Sequence, residues 1–130
     1  MIVVDASAAL EVLLKTAAAA AIEARLFQSA QTLHVPHLAD VEVAQVLRRL
    51  ALTNQMDPQS CRAALEDWLF FPVRRYPHDV LMGRVWELRQ NMTAYDAVYV
   101  ALAEALGAPL LTHDARLANA PGHAAKIELV

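Results

Sequence analysis

Short apolar runs alternate with longer segments of helical pattern along the chain, and this alternation constrains the fold more than any other feature. The first run is β-branched and stops at Asp5. Runs of this length and composition predict strands rather than helices. Five strands are predicted, at Met1–Val4, Leu33–Val35, Val73–Tyr76, Leu110–Thr112 and Lys126–Val130. Because the runs IVV and LLT are continuously apolar, we expect a mainly parallel central sheet of four to five strands that is buried on both faces.

Helix signals fill the intervals between these strands. Asp57 followed by Pro58 is a typical helix start, with an N-cap residue and then a proline in the first turn. Gly107 followed shortly by Pro109 is a typical helix end. The predicted helices are Ser7–Lys15, Ala17–Gln28, His37–Leu52, Asp57–Leu69, His78–Arg89, Ala94–Leu106 and Ala115–Ala120. Strands separated by helices indicate an α/β fold, and without a linker or repeat we expect one domain over residues 1–130.

The composition narrows the possible functions. The net charge of −3 does not fit a simple basic protein that clamps phosphates, so a nucleic-acid role must depend on local arginines or on metal ions held by acids. Charges interrupt every apolar run before it reaches about 20 residues, so we expect no membrane span. The single cysteine, Cys61, excludes an internal disulfide and favours a reducing, cytoplasmic location. His34 and His37 are close in sequence, but no third soft ligand is near them, which argues against zinc.

Four acids stand at positions where a local explanation is available for each. Asp5 and Asp114 follow predicted strands and precede predicted helices, so both are candidate helix N-caps. Asp96 comes three residues after Thr93, a spacing that resembles a capping box. Glu42 lies on a helical stripe beside an apolar arc, where an ordinary surface glutamate is expected. Each acid taken alone therefore indicates no special chemistry.

Taken together, the four acids indicate a shared site. Asp5 and Asp114 stand at the carboxyl ends of predicted parallel strands, the edge at which ligands bind in open α/β sheets. Asp96 begins a helix too apolar to lie free in solvent, so its first turn should pack near the same edge, and Glu42 can join from its own helix. Like charges about 4 Å apart repel by roughly 4 kcal/mol at an effective dielectric near 20, so such a cluster needs raised pKa values or bound cations. An all-carboxylate site suits Mg²⁺, with Mn²⁺ as a substitute.

The chain resembles the PIN-domain ribonucleases, and most closely the VapC-type toxins of bacterial toxin–antitoxin pairs. The resemblance depends on three segments, Ile2–Ala8, Pro36–Leu50 and Thr93–Ala118, and on the order and spacing of the acids. The third segment, TAYDAVYVALAEALGAPLLTHDARLA, is highly specific. The resemblance implies a PIN-like three-layer α/β/α fold around the parallel sheet. Residues 55–89 carry no signature of the family.

The resemblance also implies an activity, metal-dependent hydrolysis of phosphodiester bonds in structured RNA such as tRNA or ribosomal RNA. Asp5, Glu42, Asp96 and Asp114 match the four acidic positions of the family. Asp5 and Asp96 are expected to be the main metal ligands. Glu42 and Asp114 are expected to complete the site, by binding a second ion or orienting the attacking water. The products of similar enzymes carry a 5′-phosphate and a 3′-hydroxyl.

Supporting residues and partners follow from the same resemblance. Ser7 and Thr112 match small hydroxyl positions that orient the ligating carboxylates. A cognate antitoxin is expected to lay a helix in an apolar groove, for which Ser7–Leu26 is a candidate, and to reach the acids with a basic side chain. A homodimer is also expected. Candidate phosphate contacts are Arg48, Arg49, Arg74, Arg75, Arg84 and Arg89.

Two other classes of protein remain as alternatives. A signalling receiver domain has a similar length and an acidic Mg²⁺ pocket, but it needs adjacent acids after the first strand and a lysine after a late strand. Here Asp5 stands alone, and neither Lys15 nor Lys126 is well placed. The second alternative is a non-catalytic module that keeps the scaffold and binds a protein, although the presence of all four acids argues against it.

Overall fold

A computed structural model describes all residues from Met1 to Val130, and its strands and helices alternate as the sequence predicts. The strands are β1 (Ile2–Val4), β2 (Leu33–Pro36), β3 (Val73–Tyr76), β4 (Leu110–Thr112) and β5 (Ile127–Leu129). The helices are α1 (Ala6–Leu13), α2 (Ala19–Leu26), α3 (Leu38–Leu52), α4 (Pro58–Phe70), α5 (Met82–Glu87), α6 (Ala94–Leu106) and α7 (Ala115–Ala118). A single 3-10 turn, Asp79–Leu81, precedes α5.

The five strands form one sheet in the order β3-β2-β1-β4-β5, and every pairing is parallel. From β1 the chain builds outward through β2 and β3, then returns to the other side of β1 to add β4 and β5. The order therefore reverses between β1 and β4, and in such sheets the crevice at this reversal lies at the carboxyl ends of the strands. The predicted parallel α/β sheet is confirmed.

Strand β1 lies at the centre of the sheet because it can be buried on both faces. Ile2, Val3 and Val4 are completely buried, and Val3 is paired with β2 on one side and β4 on the other. They belong to one hydrophobic core cluster of 32 buried residues. Helices α1 to α4 pack against one another, while α5 and α6 form a second packed group, which gives the expected helical layers.

Helix α6 contributes more buried residues to the core than any other helix, and many of them are small. Seven consecutive residues from Ala97 to Ala103 are buried against β1, β2 and β4. Alanines on this helix allow its backbone to approach the sheet closely. Gly107 ends the helix with φ of 61°, a left-handed conformation that favours glycine, as the sequence predicts. Because the following residues are buried, Asp96 in the first turn of α6 is held close to the sheet.

Helix boundaries differ from the prediction most in two segments, while α1 and α7 each end two residues earlier than predicted. The segment predicted as one helix over His78–Arg89 divides into the 3-10 turn and the shorter α5, which begins beside Gly83, a residue with low helix propensity. The helix predicted over Ala17–Gln28 is shorter at both ends, and Ala18 at its N-cap has no side chain that can accept a hydrogen bond. No helix in the structure has both the length and the apolar content to cross a bilayer.

Candidate active site

Asp5 stands at the carboxyl end of the central strand, and its carboxylate is held by two hydroxyl groups. The residue is only 6% exposed. It occupies the N-cap position of α1, but its side chain makes no capping bond. Instead, the Ser7 hydroxyl donates to Oδ2 at 2.5 Å and the Thr112 hydroxyl donates to the same oxygen at 2.8 Å. The N-cap explanation for this side chain is therefore wrong, and the carboxylate is fixed by residues of α1 and β4.

The same two hydroxyls join the ends of β1 and β4. Ser7 Oγ lies 3.2 Å from Thr112 Oγ1 and accepts a hydrogen bond from the backbone N–H of His113 at 3.0 Å. Thr112 Oγ1 accepts from the backbone N–H of Asp114 at 3.0 Å. This network fixes the turn after β4 relative to Asp5.

Asp114 does two things at the start of α7. Its Oδ1 caps the helix by accepting from the backbone N–H of Arg116 at 2.8 Å, so its predicted capping role is present. Its Oδ2 lies 3.3 Å from Arg116 Nη2, and that nitrogen lies 3.4 Å from Asp96 Oδ2. The guanidinium of Arg116, whose side chain is 73% exposed, therefore bridges two of the four acids.

Asp96 projects from the first turn of α6 toward the same edge of the sheet. Thr93 caps the helix, with its hydroxyl accepting from the Asp96 backbone N–H at 3.2 Å, and the Asp96 carboxylate contacts Arg116. Burial raises the pKa of the Asp96 carboxyl, Arg116 lowers it, and the charges of Asp5 and Asp114 raise it further. The Thr93 side chain therefore makes the capping bond that the spacing suggested. The Asp96 side chain instead lies near Asp5 and Asp114.

Glu42 approaches the other three acids from α3. Burial raises its pKa to about 7, and the charges of Asp5 and Asp96 act in the same direction, whereas the Tyr99 hydroxyl favours the charged form. Its Oε1 is buried without a hydrogen-bond partner. Burial likewise raises the pKa of Asp5 despite the two hydroxyls that favour its charged form, and Asp114 adds to the rise. Glu42 is thus not the ordinary surface glutamate that its local sequence suggests.

All four acids line one open cleft of about 620 Å³ at the reversal point of the sheet. They come from the ends of β1 and β4, from the first turn of α6 and from α3. One flank is apolar and is built from α1 and α3. That flank comprises Leu10, Leu14, Val46 and Leu50. Gln45 and Arg49 add polar groups on α3.

The donor set fits a hard divalent cation. No three His, Cys, Asp or Glu side chains are grouped closely enough to hold a metal ion with their present rotamers, and Arg116 lies between two of the acids. The available ligands are nevertheless carboxylate oxygens, which suit Mg²⁺ and Mn²⁺. The unpartnered Oε1 of Glu42 also shows that at least one carboxylate lacks a counter-charge or donor. The exposed Arg116 side chain would have to leave Asp96 and Asp114 for both of these carboxylates to meet a cation.

Two functional candidates were missed by reasoning from sequence. Arg116 was not among the six arginines proposed for phosphate contacts, although it follows Asp114 by two residues on a short helix. Tyr99 lies in the buried part of α6, and its hydroxyl lies beside Glu42. The spacing of Asp96 and Tyr99, three residues apart on one helix face, was the signal that could have indicated the second.

The six predicted arginines divide by their surroundings. Arg49 lines the acidic cleft, and Arg48 and Arg74 are exposed. Arg75 is paired with Asp40, Arg84 is paired with Glu104 and Glu87, and the Arg89 guanidinium lies over the Trp86 ring. Arg49 is therefore the member of the predicted set that lies beside the acids.

The family model described as PIN domain matches residues 2–122, so this is a PIN-domain protein. The parallel α/β fold and the acidic cleft agree with that class. Ribonuclease VapC9 of Mycobacterium tuberculosis is 50% identical over 119 residues, which cover 92% of this chain and 90% of the relative. Ribonuclease VapC12 of the same organism is 44% identical over 130 residues, which cover 100% of this chain and 99% of the relative. The chain belongs to the VapC family of PIN-domain ribonucleases.

A solved structure shares the fold at low sequence identity. VapBC2 of Rickettsia felis, solved bound to a DNA fragment from their promoter, aligns with a TM-score of 0.71 and 14% identity over 99% of this chain and 98% of that chain. The resemblance and the PIN-like α/β fold predicted from the sequence are both confirmed. The receiver alternative is wrong, since that class has strand order 2-1-3-4-5 and this sheet has β3-β2-β1-β4-β5.

Proposed function

We propose that the chain is a metal-dependent endoribonuclease that acts as the toxin of a toxin–antitoxin pair. The proposal rests on one observation, that carboxylates from four separate elements line a single cleft at the carboxyl edge of the sheet. Relatives named ribonuclease VapC, 44% and 50% identical over most of the chain, support RNA as the substrate. Structured RNA, such as tRNA or ribosomal RNA, is the class that we expect.

Asp5, Glu42, Asp96 and Asp114 would hold Mg²⁺, for which Mn²⁺ can substitute. When bound, the cation supplies a Lewis acid that stabilises negative charge on the phosphoryl oxygens. Asp5 is the best-oriented ligand, because two hydroxyls fix one of its oxygens. Ser7 and Thr112 therefore act through Asp5 and need no contact with RNA.

The pKa of Glu42 near 7 has a consequence for the metal-free protein. At neutral pH this carboxyl holds a proton in part of the molecules, which limits repulsion among the four acids. Arg116 limits the same repulsion at Asp96 and Asp114. The proton on Glu42 and the guanidinium of Arg116 would thus reduce repulsion among the acids until a divalent cation binds in their place.

Asp96→Asn tests the proposed activity. We expect it to abolish cleavage of RNA in Mg²⁺ while the fold is kept, because the amide retains the shape of the side chain but loses its charge. The measurement is cleavage of total bacterial RNA, with sequencing of the 5′-phosphate ends, in Mg²⁺ and again after addition of EDTA. EDTA should stop the wild-type reaction, and excess Mg²⁺ should restore it.

Asp57→Asn is the matched control for that variant. Asp57 is exposed at the N-cap of α4, outside the cleft, and asparagine caps helices as well as aspartate does. This control should cut RNA like the wild type. Cleavage by Asp96→Asn at the wild-type rate would show that Asp96 is not a metal ligand. Binding of Mn²⁺ without cleavage of any RNA would favour the non-catalytic alternative.

The cleft also suits the expected antitoxin. Its apolar flank and its acids can receive a helix with an apolar face and a basic side chain, which is the kind of partner that the resemblance implies. The named VapBC2 complex of another organism supports such a pair. Co-purification of this chain with the product of the neighbouring open reading frame tests the partner, and failure to co-purify after co-expression would contradict it. The homodimer and the cytoplasmic location stay predictions.

A further inference from the structure

The hydroxyl of Tyr99 is a buried polar group beside the acidic cleft. Its side chain is completely buried in α6, and its hydroxyl makes no hydrogen bond. A phenylalanine would fill the same space without leaving a donor unsatisfied, and such unsatisfied groups are costly inside a protein. The hydroxyl therefore has no evident use in the packing of the core.

The hydroxyl faces the one carboxylate of the cleft that also lacks a partner. Glu42 Oε1 and the Tyr99 hydroxyl are both buried without a hydrogen-bond partner. The Tyr99 hydroxyl nevertheless lies close enough to Glu42 to favour the charged form of its carboxyl and so to lower its pKa. The hydroxyl of Tyr99 on α6 and the carboxylate of Glu42 on α3 are chemically complementary, since a hydroxyl donates a hydrogen bond and a carboxylate accepts one. A hydrogen bond from the Tyr99 hydroxyl to Oε1 would satisfy both groups.

Helix geometry places Tyr99 behind the acids. Asp96 and Tyr99 are three residues apart on α6, so they lie on the same face of the helix, and Asp96 is nearer the open cleft. The helix thus presents a carboxylate at the surface of the site and a phenol hydroxyl beneath it. Thr112 has the same relation to Asp5, as a buried donor to a carboxylate that lines the cleft, and the half-buried Ser7 donates to the same oxygen.

We propose that Tyr99 is a positioning residue for Glu42: its hydroxyl donates to Oε1 and so turns the other carboxylate oxygen toward the cleft to meet a divalent cation. This inference rests on the proposed metal-dependent function. It gives Glu42 a fixed orientation that α3 alone does not supply. Removal of the hydroxyl should leave Glu42 free to turn away from the cation, and loss of such a supporting donor typically weakens metal binding about 10- to 100-fold.

The test compares Tyr99→Phe with Tyr95→Phe, an equal change at an exposed tyrosine of the same helix. Binding of Mn²⁺ is measured by calorimetry, and the melting temperature is measured in EDTA. We expect Tyr99→Phe to weaken Mn²⁺ binding about tenfold, with the metal-free melting temperature equal to or above that of the wild type. RNA cleavage by this variant should show a lower kcat with an unchanged KM, because the buried ring does not touch RNA. Tyr95→Phe should match the wild type in all these measurements.

A second variant separates positioning from packing. In a Glu42→Gln background, adding Tyr99→Phe should weaken Mn²⁺ binding no further, since the hydroxyl acts through the carboxylate. Unchanged Mn²⁺ affinity of Tyr99→Phe in the wild-type background, an equal extra loss in both backgrounds, or a lower metal-free melting temperature would each overturn the proposal. If the wild type and Tyr99→Phe bind Mn²⁺ and cut RNA equally well, the role of Tyr99 is refuted and the metal-dependent function is not. Wild-type protein that binds no Mn²⁺ would refute the metal-dependent function, and this inference with it.

Discussion

Glu42 shows how a single side chain can make stability depend on pH. Its folded-state pKa of about 7 lies above the ordinary value of 4.5, so the folded protein binds this proton more tightly than the unfolded chain does. The free energy of unfolding must therefore fall as pH rises through this interval. The raised pKa values of Asp5 and Asp96 act in the same direction, whereas the lowered pKa of the buried His34 acts in the opposite direction.

Glu42→Gln isolates this contribution, because glutamine does not titrate. In EDTA, the wild-type melting temperature should fall relative to that of Glu42→Gln between pH 4 and pH 7.5, with most of the change between about 4.5 and 7. Differential scanning fluorimetry across this pH range provides the measurement. Glu23→Gln, at an exposed position of α2, should follow the wild type. Parallel curves for wild type and Glu42→Gln would show that Glu42 titrates normally in the folded protein.

Arg116 supplies the second prediction at the residue scale. Its guanidinium contacts both Asp96 and Asp114, so it competes with any cation for those carboxylates. Exposed ion pairs contribute about 0.2–1 kcal/mol each, so loss of both pairs in Arg116→Gln should tighten Mn²⁺ binding by roughly 2- to 30-fold. Calorimetry at low ionic strength can resolve this difference. Arg62→Gln makes the same charge change at the exposed Arg62–Glu66 pair of α4 and serves as the control. Equal affinities for the two variants would contradict the competition.

At the scale of elements, the N-terminus of α6 connects helix stability to the site. The Thr93 hydroxyl caps this helix by accepting from the backbone N–H of Asp96. Thr93→Ala should lower the free energy of unfolding by about 0.5–2 kcal/mol, as measured by urea denaturation. It should also reduce RNA cleavage less than Asp96→Asn does, because the carboxylate remains but its turn is loosened. Thr93→Ser keeps a capping hydroxyl and should retain stability; equal loss with serine and alanine would exclude capping.

The sequence predicted elements best where local signals are strong. The bounds of α6, β3 and β4 agree with the prediction, because Thr93 and Gly107 mark the ends of α6 and the strands are bounded by turn residues. The start of α2 could not be located from the sequence, because an alanine-rich segment contains no cap and its helical extent depends on which side chains it buries. For the segment before Arg89, Gly83 is a local signal for a weaker helix, but the packing of the 3-10 turn and α5 against α6 is not encoded locally.

The convergence of the acids belongs to the whole molecule. The sequence placed Asp5 and Asp114 after strands, but only the adjacency of β1 and β4 brings them to one crevice. The family resemblance supplied the set of four acids, and the structure brings them together while their catalytic roles stay predictions. The contacts of Arg116 depend on side-chain direction and could not be inferred in the same way, whereas for Tyr99 the three-residue spacing from Asp96 gave only the shared helix face.

This dependence on the whole fold makes metal binding a measure of global stability. The proposed ligands lie between residue 5 and residue 114 of the chain, so only the folded protein brings them together into a metal site. A ligand that binds only the folded state stabilises it by about 2.7 kcal/mol at 100 times its dissociation constant, a shift in melting temperature on the order of 10 °C for a chain of this size. Wild-type protein titrated with Mn²⁺ should show this rise, and Asp57→Asn should show the same rise. Asp96→Asn should melt higher than the wild type in EDTA, since like-charge repulsion is relieved, yet gain much less from Mn²⁺. A melting temperature that rises with Mn²⁺ equally in wild type and Asp96→Asn would place the cation outside the acidic cleft.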